Sequence, residues 1–238
     1  MSKSLKKILL TIISGILLGL SYPSFPEIPT GILAWFAFVP LLLATREETN
    51  FRTYFWQTFS IFLISGPLNF WWTALFSWKA FAVCYTTQTW GVYLPFLLHF
   101  FLQKRFGWQR ALFLLPFHWT FLDWINHQLP HTLQVNNIAY TQANNIWLIQ
   151  FTDITGMWGV TFWVVMMNIL ITFLLAHKRF EIKKVVAISA WLSIVLGYSF
   201  WNMKLSPKNA IGTDNETTKV SIIQTRSEER RVGKECSS

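Results

Sequence analysis

The chain has 238 residues, of which 53% are hydrophobic, 18% aromatic and only 13% charged. Ordinary soluble domains carry roughly 25% charged residues, so this chain has too little charge to cover the surface of a water-soluble globule. Its apolar residues come in blocks of about 15 to 23 separated by short polar stretches, which is the pattern of bilayer-spanning helices. The sequence therefore predicts an all-α polytopic membrane protein. In a soluble protein a net charge of +9 would suggest that the protein binds nucleic acid. In a membrane protein the positive charge instead indicates which loops face the cytoplasm, so no nucleic-acid partner is expected.

Seven apolar segments follow one another along the chain. They are residues 5–21, 31–44, 54–76, 81–102, 111–125, 156–176 and 185–201. Crossing a bilayer takes about 20 residues, with about 17 near the lower limit. The second and fifth segments are therefore short, and the alternative for each is a re-entrant segment. The Lys-rich start of the first segment also fits a secretory signal, but no small-residue cleavage site follows it.

The distribution of Lys and Arg predicts the orientation. If all seven segments cross and the N-terminus is cytoplasmic, the external loops hold Lys79 alone. The cytoplasmic segments then hold Lys3, Lys6, Lys7, Arg46, Arg52, Lys104, Arg105, Arg110, Lys178, Arg179, Lys183 and Lys184. Cations in short loops stay preferentially inside, and this bias would be lost without a crossing by the second segment. We therefore expect about seven transmembrane helices, with a cytoplasmic N-terminus and the C-terminus on the opposite side.

One carboxylate is predicted inside an apolar segment. Asp123 lies near the outer end of the fifth segment, one helical turn after Trp119. Ionisable side chains within a membrane are functional candidates, so Asp123 and Trp119 are candidates for contact with a lipid headgroup or for anchoring the external loop. The structural alternative, which we favour, is a carboxylate that accepts hydrogen bonds from loop amides or from Asn126.

Other polar candidates lie in the third segment and in the loop before the sixth. Pro67 interrupts the third helix, and Asn69 is expected to satisfy the backbone groups that are freed there. The bend either shapes a lipid-facing cleft, with Asn69 as a substrate-binding candidate, or is a packing kink. Tyr140 and Gln142 of the loop are candidates for substrate contact. Asp153 is predicted to be the N-cap of the sixth helix.

No metal or cofactor is expected. His127 and His131 have the i, i+4 spacing of a helical metal pair, but Pro130 between them argues against that helix. His99 and His118 lie in or near different apolar segments. No catalytic residue is assigned within the chain.

Five stretches, in this order and spacing, resemble the membrane half of bacterial apolipoprotein N-acyltransferases. They are 17–25 (LLGLSYPSF), 38–43 (FVPLLL), 66–71 (GPLNFW), 139–142 (AYTQ) and 148–162 (LIQFTDITGMWGVTF). The resemblance runs from residue 5 to about residue 225. It departs from the family at Asp123 and Asn126, where the family typically has Glu and Arg.

The resemblance implies a function and a location. In this family a cysteine of a periplasmic nitrilase-like domain takes an acyl chain from a phospholipid as a thioester. It then passes the chain to the α-amino group of the diacylglyceryl-cysteine of an apolipoprotein, the last step of lipoprotein maturation. The implied partners are a phospholipid donor, a diacylglyceryl apolipoprotein and membrane lipids. The implied location is the bacterial cytoplasmic (inner) membrane, with a multi-pass topology and a periplasmic C-terminus.

The resemblance also implies a domain division. Residues 1–203 correspond to the transmembrane domain, and 204–225 to a linker and the first strand of a truncated nitrilase-like domain, at 220–224. Residues 226–238 resemble an in-frame translation of a sequencing adapter and are expected not to be native, the alternative being a charged disordered tail. Since the family's catalytic cysteine, carboxylate and lysine are not found, we expect this chain alone to be inactive.

Two other classes of function stay open. A small transporter or channel usually shows internal repeats or paired broken helices with buried charge, and the sequence shows no such repeat. A membrane anchoring module without chemistry is the other alternative, and composition does not separate it from the membrane half of an enzyme.

Overall fold

The computed structural model describes residues 2–23, 30–129, 137–176 and 182–205, all within one compact unit, Met1–Leu205. These residues form seven α-helices, with no strand among them: α1 Lys3–Ser21, α2 Val39–Ala44, α3 Phe51–Phe70, α4 Trp78–Phe106, α5 Trp108–Gln128, α6 Thr152–Ala176 and α7 Ile182–Leu205. They also form three 3₁₀ helices, Thr30–Trp35, Trp71–Leu75 and Ile138–Gln142. The predicted strand at 220–224 and the tail at 226–238 lie outside the described residues.

Each of the seven predicted apolar segments is helical, which confirms the all-α prediction. Two of the helices, Lys3–Ser21 and Thr152–Ala176, are long and apolar enough to cross a membrane by length and composition, and Thr30–Ala44 is a shorter apolar stretch. Neighbouring helices pack against each other in chain order from α3 to α7, and α1 packs along α3.

One end of the bundle collects basic side chains, and we call it the basic end. The ammonium group of Lys7, in α1, forms an ion pair with Glu48 at 2.8 Å. Arg46, which follows α2, donates to the carbonyl oxygen of Ala176 at 3.0 Å, and its guanidinium lies 4.8 Å from the ring centroid of Trp108. The starts of α1 and α5 therefore meet the ends of α2 and α6 here.

The opposite end holds the segment that follows α5, and we call it the loop end. Asn137 donates to Asp123 of α5 at 3.1 Å, and Tyr198 of α7 donates to Asp153 of α6 at 2.8 Å. The end of α5, the end of α7 and the start of α6 therefore lie together. Helix α5 therefore runs from the basic end to the loop end, and α6 runs in the opposite direction.

The short second segment, Thr30–Ala44, runs from one end of the bundle to the other. Gly31 meets the loop end, where its carbonyl oxygen accepts from Gln142, and Thr45 meets the basic end, where its carbonyl oxygen accepts from Gln103. The segment is a 3₁₀ helix followed by the short helix α2. Because a 3₁₀ helix rises about 2.0 Å per residue instead of 1.5 Å, this segment covers more distance than an α-helix of the same length.

Pro67 lies inside α3 and frees a backbone carbonyl. A proline has no N–H group, so the carbonyl four residues earlier, that of Leu63, loses its helical donor. The hydroxyl of Tyr85, in α4, donates to this carbonyl at 3.0 Å, and its ring occupies the space beside Gly66. The sequence did not point to Tyr85, and the compensating role it assigned to Asn69 stays a prediction.

The first turn of α6 also differs from expectation. Asp153 is the second residue of α6 and not its N-cap, so that prediction is wrong. Gly156 interrupts the helix with φ 61°, a conformation open mainly to glycine. The turn before this kink directs the Asp153 carboxylate to α7, where it accepts from Tyr198 and from Asn202, the latter at 3.0 Å.

Candidate functional site

A chain of hydrogen bonds connects α5, the loop and α6 through Asp123. The amide of Asn137 donates to the Asp123 carboxylate, and its oxygen accepts from the hydroxyl of Thr161 at 2.8 Å and from the backbone N–H of Ala139 at 2.8 Å. The indole of Trp119, one turn before Asp123, also bonds to the carboxylate. Asp123 therefore holds the start of the 3₁₀ helix Ile138–Gln142 in place.

This geometry bears on the two interpretations of Asp123. Its donors are an amide of the loop and an indole of its own helix, which is what the structural alternative expects, although the amide belongs to Asn137 and not to Asn126. Tyr22, at the end of α1, is close enough to Asp123 to interact with it electrostatically. The carboxylate therefore lies where three parts of the bundle come together.

Gln142 forms a second group of bonds at the loop end. It is fully buried, and its Nε2 donates to the carbonyl of Gly31 at 2.8 Å and to the hydroxyl of Thr141 at 2.9 Å. Its Oε1 accepts from the indole of Trp35 at 3.3 Å and from Asn145 at 3.1 Å. A Cβ at Gly31 would overlap the Thr141 carbonyl oxygen. Gln142 therefore attaches the loop to the start of the second segment at close range.

Asn168, in the middle of α6, satisfies the backbone where the second segment breaks. Its Oδ1 accepts from the N–H of Phe38 at 2.8 Å, and its Nδ2 donates to the carbonyls of Ala34 at 2.7 Å and Val164 at 2.9 Å. The side chain is fully buried. One amide thus pairs the carbonyl at the end of the 3₁₀ helix with the N–H at the start of α2.

The five substrate-binding candidates fall into three places. Asp123 and Trp119 are bonded partners, and Trp119 is buried against Phe38, with ring centroids 4.9 Å apart. Tyr140 and Gln142 share the 3₁₀ helix Ile138–Gln142, where Tyr140 is half-buried. Asn69 is buried on α3, with 7% of its surface exposed. The structure therefore brings the first four to the loop end.

Sequence reasoning missed the polar side chains that make these bonds, namely Asn137, Thr161 and Asn168, and also Ser14 of α1, whose hydroxyl accepts from the N–H of Leu41. The available signal was a lone Asn or Ser in an apolar run, as in 164–171 (VVMMNILI). Polar side chains in such runs hydrogen-bond across helices.

The two histidines from different segments also meet. The rings of His99 and His118 stack with centroids 6.3 Å apart, and a ring nitrogen of His118 lies 3.2 Å from the carbonyl oxygen of Pro95. Within the part of the chain that the structure describes, no group of three or more His, Cys, Asp or Glu residues is arranged to hold a metal ion.

Comparison with known proteins identifies similar chains. The family model for the apolipoprotein N-acyltransferase N-terminal domain matches residues 14–170, a range that includes Ser14, Asp123, Gln142 and Asn168. A protein of Chlorobaculum tepidum named apolipoprotein N-acyltransferase is 29% identical over 219 residues, which are 92% of this chain and 41% of the relative. A protein of Geobacter metallireducens with the same name is 28% identical in an alignment of 215 positions that covers 81% of this chain and 39% of the relative. The chain thus spans about two fifths of the length of these curated relatives, and no solved structure matches it.

The role of Asp123 in holding the loop predicts a difference between two carboxylates. Replacing Asp123 by Ala leaves the Asn137 amide and the Trp119 indole without an acceptor in a partly buried site, so we expect a loss of about 1–3 kcal/mol in the free energy of unfolding. Asp153 also accepts two hydrogen bonds, but it is exposed, so Asp153→Ala should cost well under half as much. Denaturant titration in detergent micelles measures both, and equal losses would contradict the assignment.

Proposed function

The chain belongs to the apolipoprotein N-acyltransferase family, and on that premise we propose that it forms the membrane-spanning part of such an acyltransferase. The enzyme would transfer an acyl chain from a phospholipid to the diacylglyceryl-cysteine of an apolipoprotein. The observation that carries the proposal is the match of the N-terminal-domain model across the bundle, from α1 to α6.

The surface of the bundle supports a multi-pass placement in the cytoplasmic membrane. On α5, Phe113, Phe117 and Phe121 follow one another at i, i+4 spacing and are 56%, 50% and 57% exposed. Apolar stripes of this kind fit lipid and not water. The predicted cytoplasmic cations Lys7 and Arg46 lie at the basic end, which we assign to the cytoplasm, and we assign the loop end to the periplasm.

In this proposal the bundle orients the catalytic domain and the substrates, and the chemistry takes place in that other domain. A cysteine thiolate attacks the phospholipid ester, which forms the thioester and releases a lysophospholipid. The α-amino group of the lipoprotein then attacks the thioester, which forms the amide and releases the cysteine thiol. The groups around Asp123 and Gln142 give the periplasmic end a fixed shape, and the half-buried Tyr140 is the candidate for substrate contact there. Asn69, buried on α3, stays a candidate only from the sequence. We propose that residues 1–238 alone are inactive, because the family's cysteine, carboxylate and lysine belong to its nitrilase-like domain.

A chimaera tests the enzymatic proposal. Residues 1–205 are joined to the remainder of the C. tepidum relative and expressed in a strain depleted of its own N-acyltransferase, with the intact relative as the control. We expect growth and N-acylated lipoproteins, detected by mass spectrometry of their N-terminal peptides, from the chimaera but not from residues 1–238. Rescue by residues 1–238 would overturn the proposed inactivity. Failure of a chimaera that is stably inserted would contradict the proposed function.

Cysteine labelling tests the orientation. With Cys84 and Cys236 replaced by Ser, single substitutions I146C at the loop end and R105C at the end of α4 are exposed to a membrane-impermeant maleimide from the periplasmic side. Ile146 is 65% exposed and Arg105 is also exposed, so access depends on the side of the membrane. We expect labelling of I146C and none of R105C until the membrane is permeabilised. The reverse pattern would refute the orientation.

A further inference from the structure

Two cavities lie on either side of the start of α1. The larger, about 800 Å³, lies between α1 and α3. The smaller, about 430 Å³, lies between α1 and the ends of α2 and α6. Both are lined by Lys3, Lys7 and Glu47. Volumes of 300–1,000 Å³ are typical of sites that hold small molecules.

The charges around the two cavities are mainly positive. Lys6 and Arg46 join Lys3 and Lys7 in lining the smaller cavity, against the single carboxylate of Glu47. Lys7 is committed to an ion pair with Glu48, and Arg46 bonds to α6. In the part of the chain that the structure describes, the side chains of Lys3 and Lys6 make no hydrogen bond or ion pair, and both residues are exposed. Two ammonium groups are therefore available to an anion at the mouth of the cavities.

The larger cavity continues from this charged mouth along an apolar wall. The wall is formed by Ile8, Ile12, Trp56, Leu63 and Ile64. The lining on α3 extends from Thr53 to Ile64, about 16 Å along a helix. This is close to half of the roughly 30 Å hydrocarbon thickness of a bilayer, so the groove has the depth of one leaflet.

A polar group lies one turn below the mouth. Gln57 lines the larger cavity, and its buried side-chain oxygen Oε1 has no hydrogen-bond partner within the described residues, so the amide is free to turn toward a ligand. Gly15 packs on Ile64 and Gly19 on Leu68. A step of four residues along α1, from Gly15 to Gly19, corresponds to a step of four residues along α3, from Ile64 to Leu68, so the two helices run parallel. Gln57 is therefore level with Ile8, between the lysines and the apolar wall.

We propose that this groove binds an anionic glycerophospholipid of the cytoplasmic leaflet. The phosphate lies at the mouth against Lys3, which lines both cavities, and Lys6 of the adjoining smaller cavity adds a second positive charge one turn away on α1. The amide of Gln57 donates to an ester carbonyl, and an acyl chain follows the wall between α1 and α3. Basic pockets between helices on the cytoplasmic side suit anionic headgroups, and the apolar depth distinguishes a lipid from a free phosphate. The inference rests on the membrane orientation proposed above but not on acyl transfer.

Native mass spectrometry of the chain of residues 1–238 tests this inference. The delipidated protein in neutral detergent is titrated with phosphatidylglycerol or with phosphatidylcholine, which has the same acyl chains and no net charge. We expect phosphatidylglycerol to bind at least tenfold more tightly. K3Q/K6Q should weaken phosphatidylglycerol binding about tenfold and leave phosphatidylcholine binding unchanged. I12W, which fills the groove and keeps the cations, should weaken phosphatidylglycerol binding as well.

The matched control is K79Q/K204Q, which removes the same charge from exposed lysines that line neither cavity. We expect it to bind like the unchanged protein, and thermal unfolding shows that each variant is folded. Equal affinity for the two lipids, an equal loss in the control, or full binding by K3Q/K6Q or I12W would overturn the inference. If lipid binding fails while the chimaera restores N-acylation, only this inference falls. If lipid binding is as expected while the chimaera fails, only the acyl-transfer proposal falls.

Discussion

The bundle depends on side chains that pair the backbone groups left open where helices break. A buried polar group without a partner costs about 1–3 kcal/mol, and hydrocarbon offers no water to replace that partner. The second segment breaks between its 3₁₀ helix and α2, and Asn168 pairs both the carbonyl of Ala34 and the N–H of Phe38. The hydroxyl of Ser14 accepts from the N–H of Leu41 at 2.9 Å. The break thus fixes the second segment to two neighbouring helices, to α6 through Asn168 and to α1 through Ser14.

The need to pair these open backbone groups also favours a supporting role for the bundle over the function of a transporter. Broken helices in transporters leave backbone groups and helix ends free to bind substrate and ions near the middle of the membrane. Here the groups freed in the second segment are taken by Asn168, Ser14 and Gln142, and the carbonyl freed by Pro67 is taken by Tyr85. The breaks therefore build a rigid support. Such a support suits the proposed role, in which the bundle holds a separate catalytic domain and its acylated substrates at the periplasmic surface.

The sequence predicted the features that depend on residues close together in the chain, and it missed the interactions between residues that are far apart. The seven helical segments follow from hydropathy, which is a local property. The partners of the helix breaks are distant in sequence, since Asn168 and Phe38 are 130 residues apart. Around Pro67 the sequence pointed to nearby Asn69 and not to Tyr85, on the next helix, which donates to the Leu63 carbonyl. Asp153 was expected to cap a helix that instead begins at Thr152 and bends at Gly156.

The most direct test of whether the fold depends on these compensating hydrogen bonds is a double-mutant cycle between Pro67 and Tyr85. Tyr85→Phe removes the donor to the Leu63 carbonyl, whereas Pro67→Ala restores a backbone N–H that can take its place. We expect Tyr85→Phe to lower the free energy of unfolding in micelles by about 1–3 kcal/mol in the native background, and by much less in the Pro67→Ala background. Tyr54→Phe is the control, since the buried Tyr54 hydroxyl has no hydrogen-bond partner among the described residues. An equal cost of Tyr85→Phe in both backgrounds would contradict the dependence of the fold on these compensating bonds.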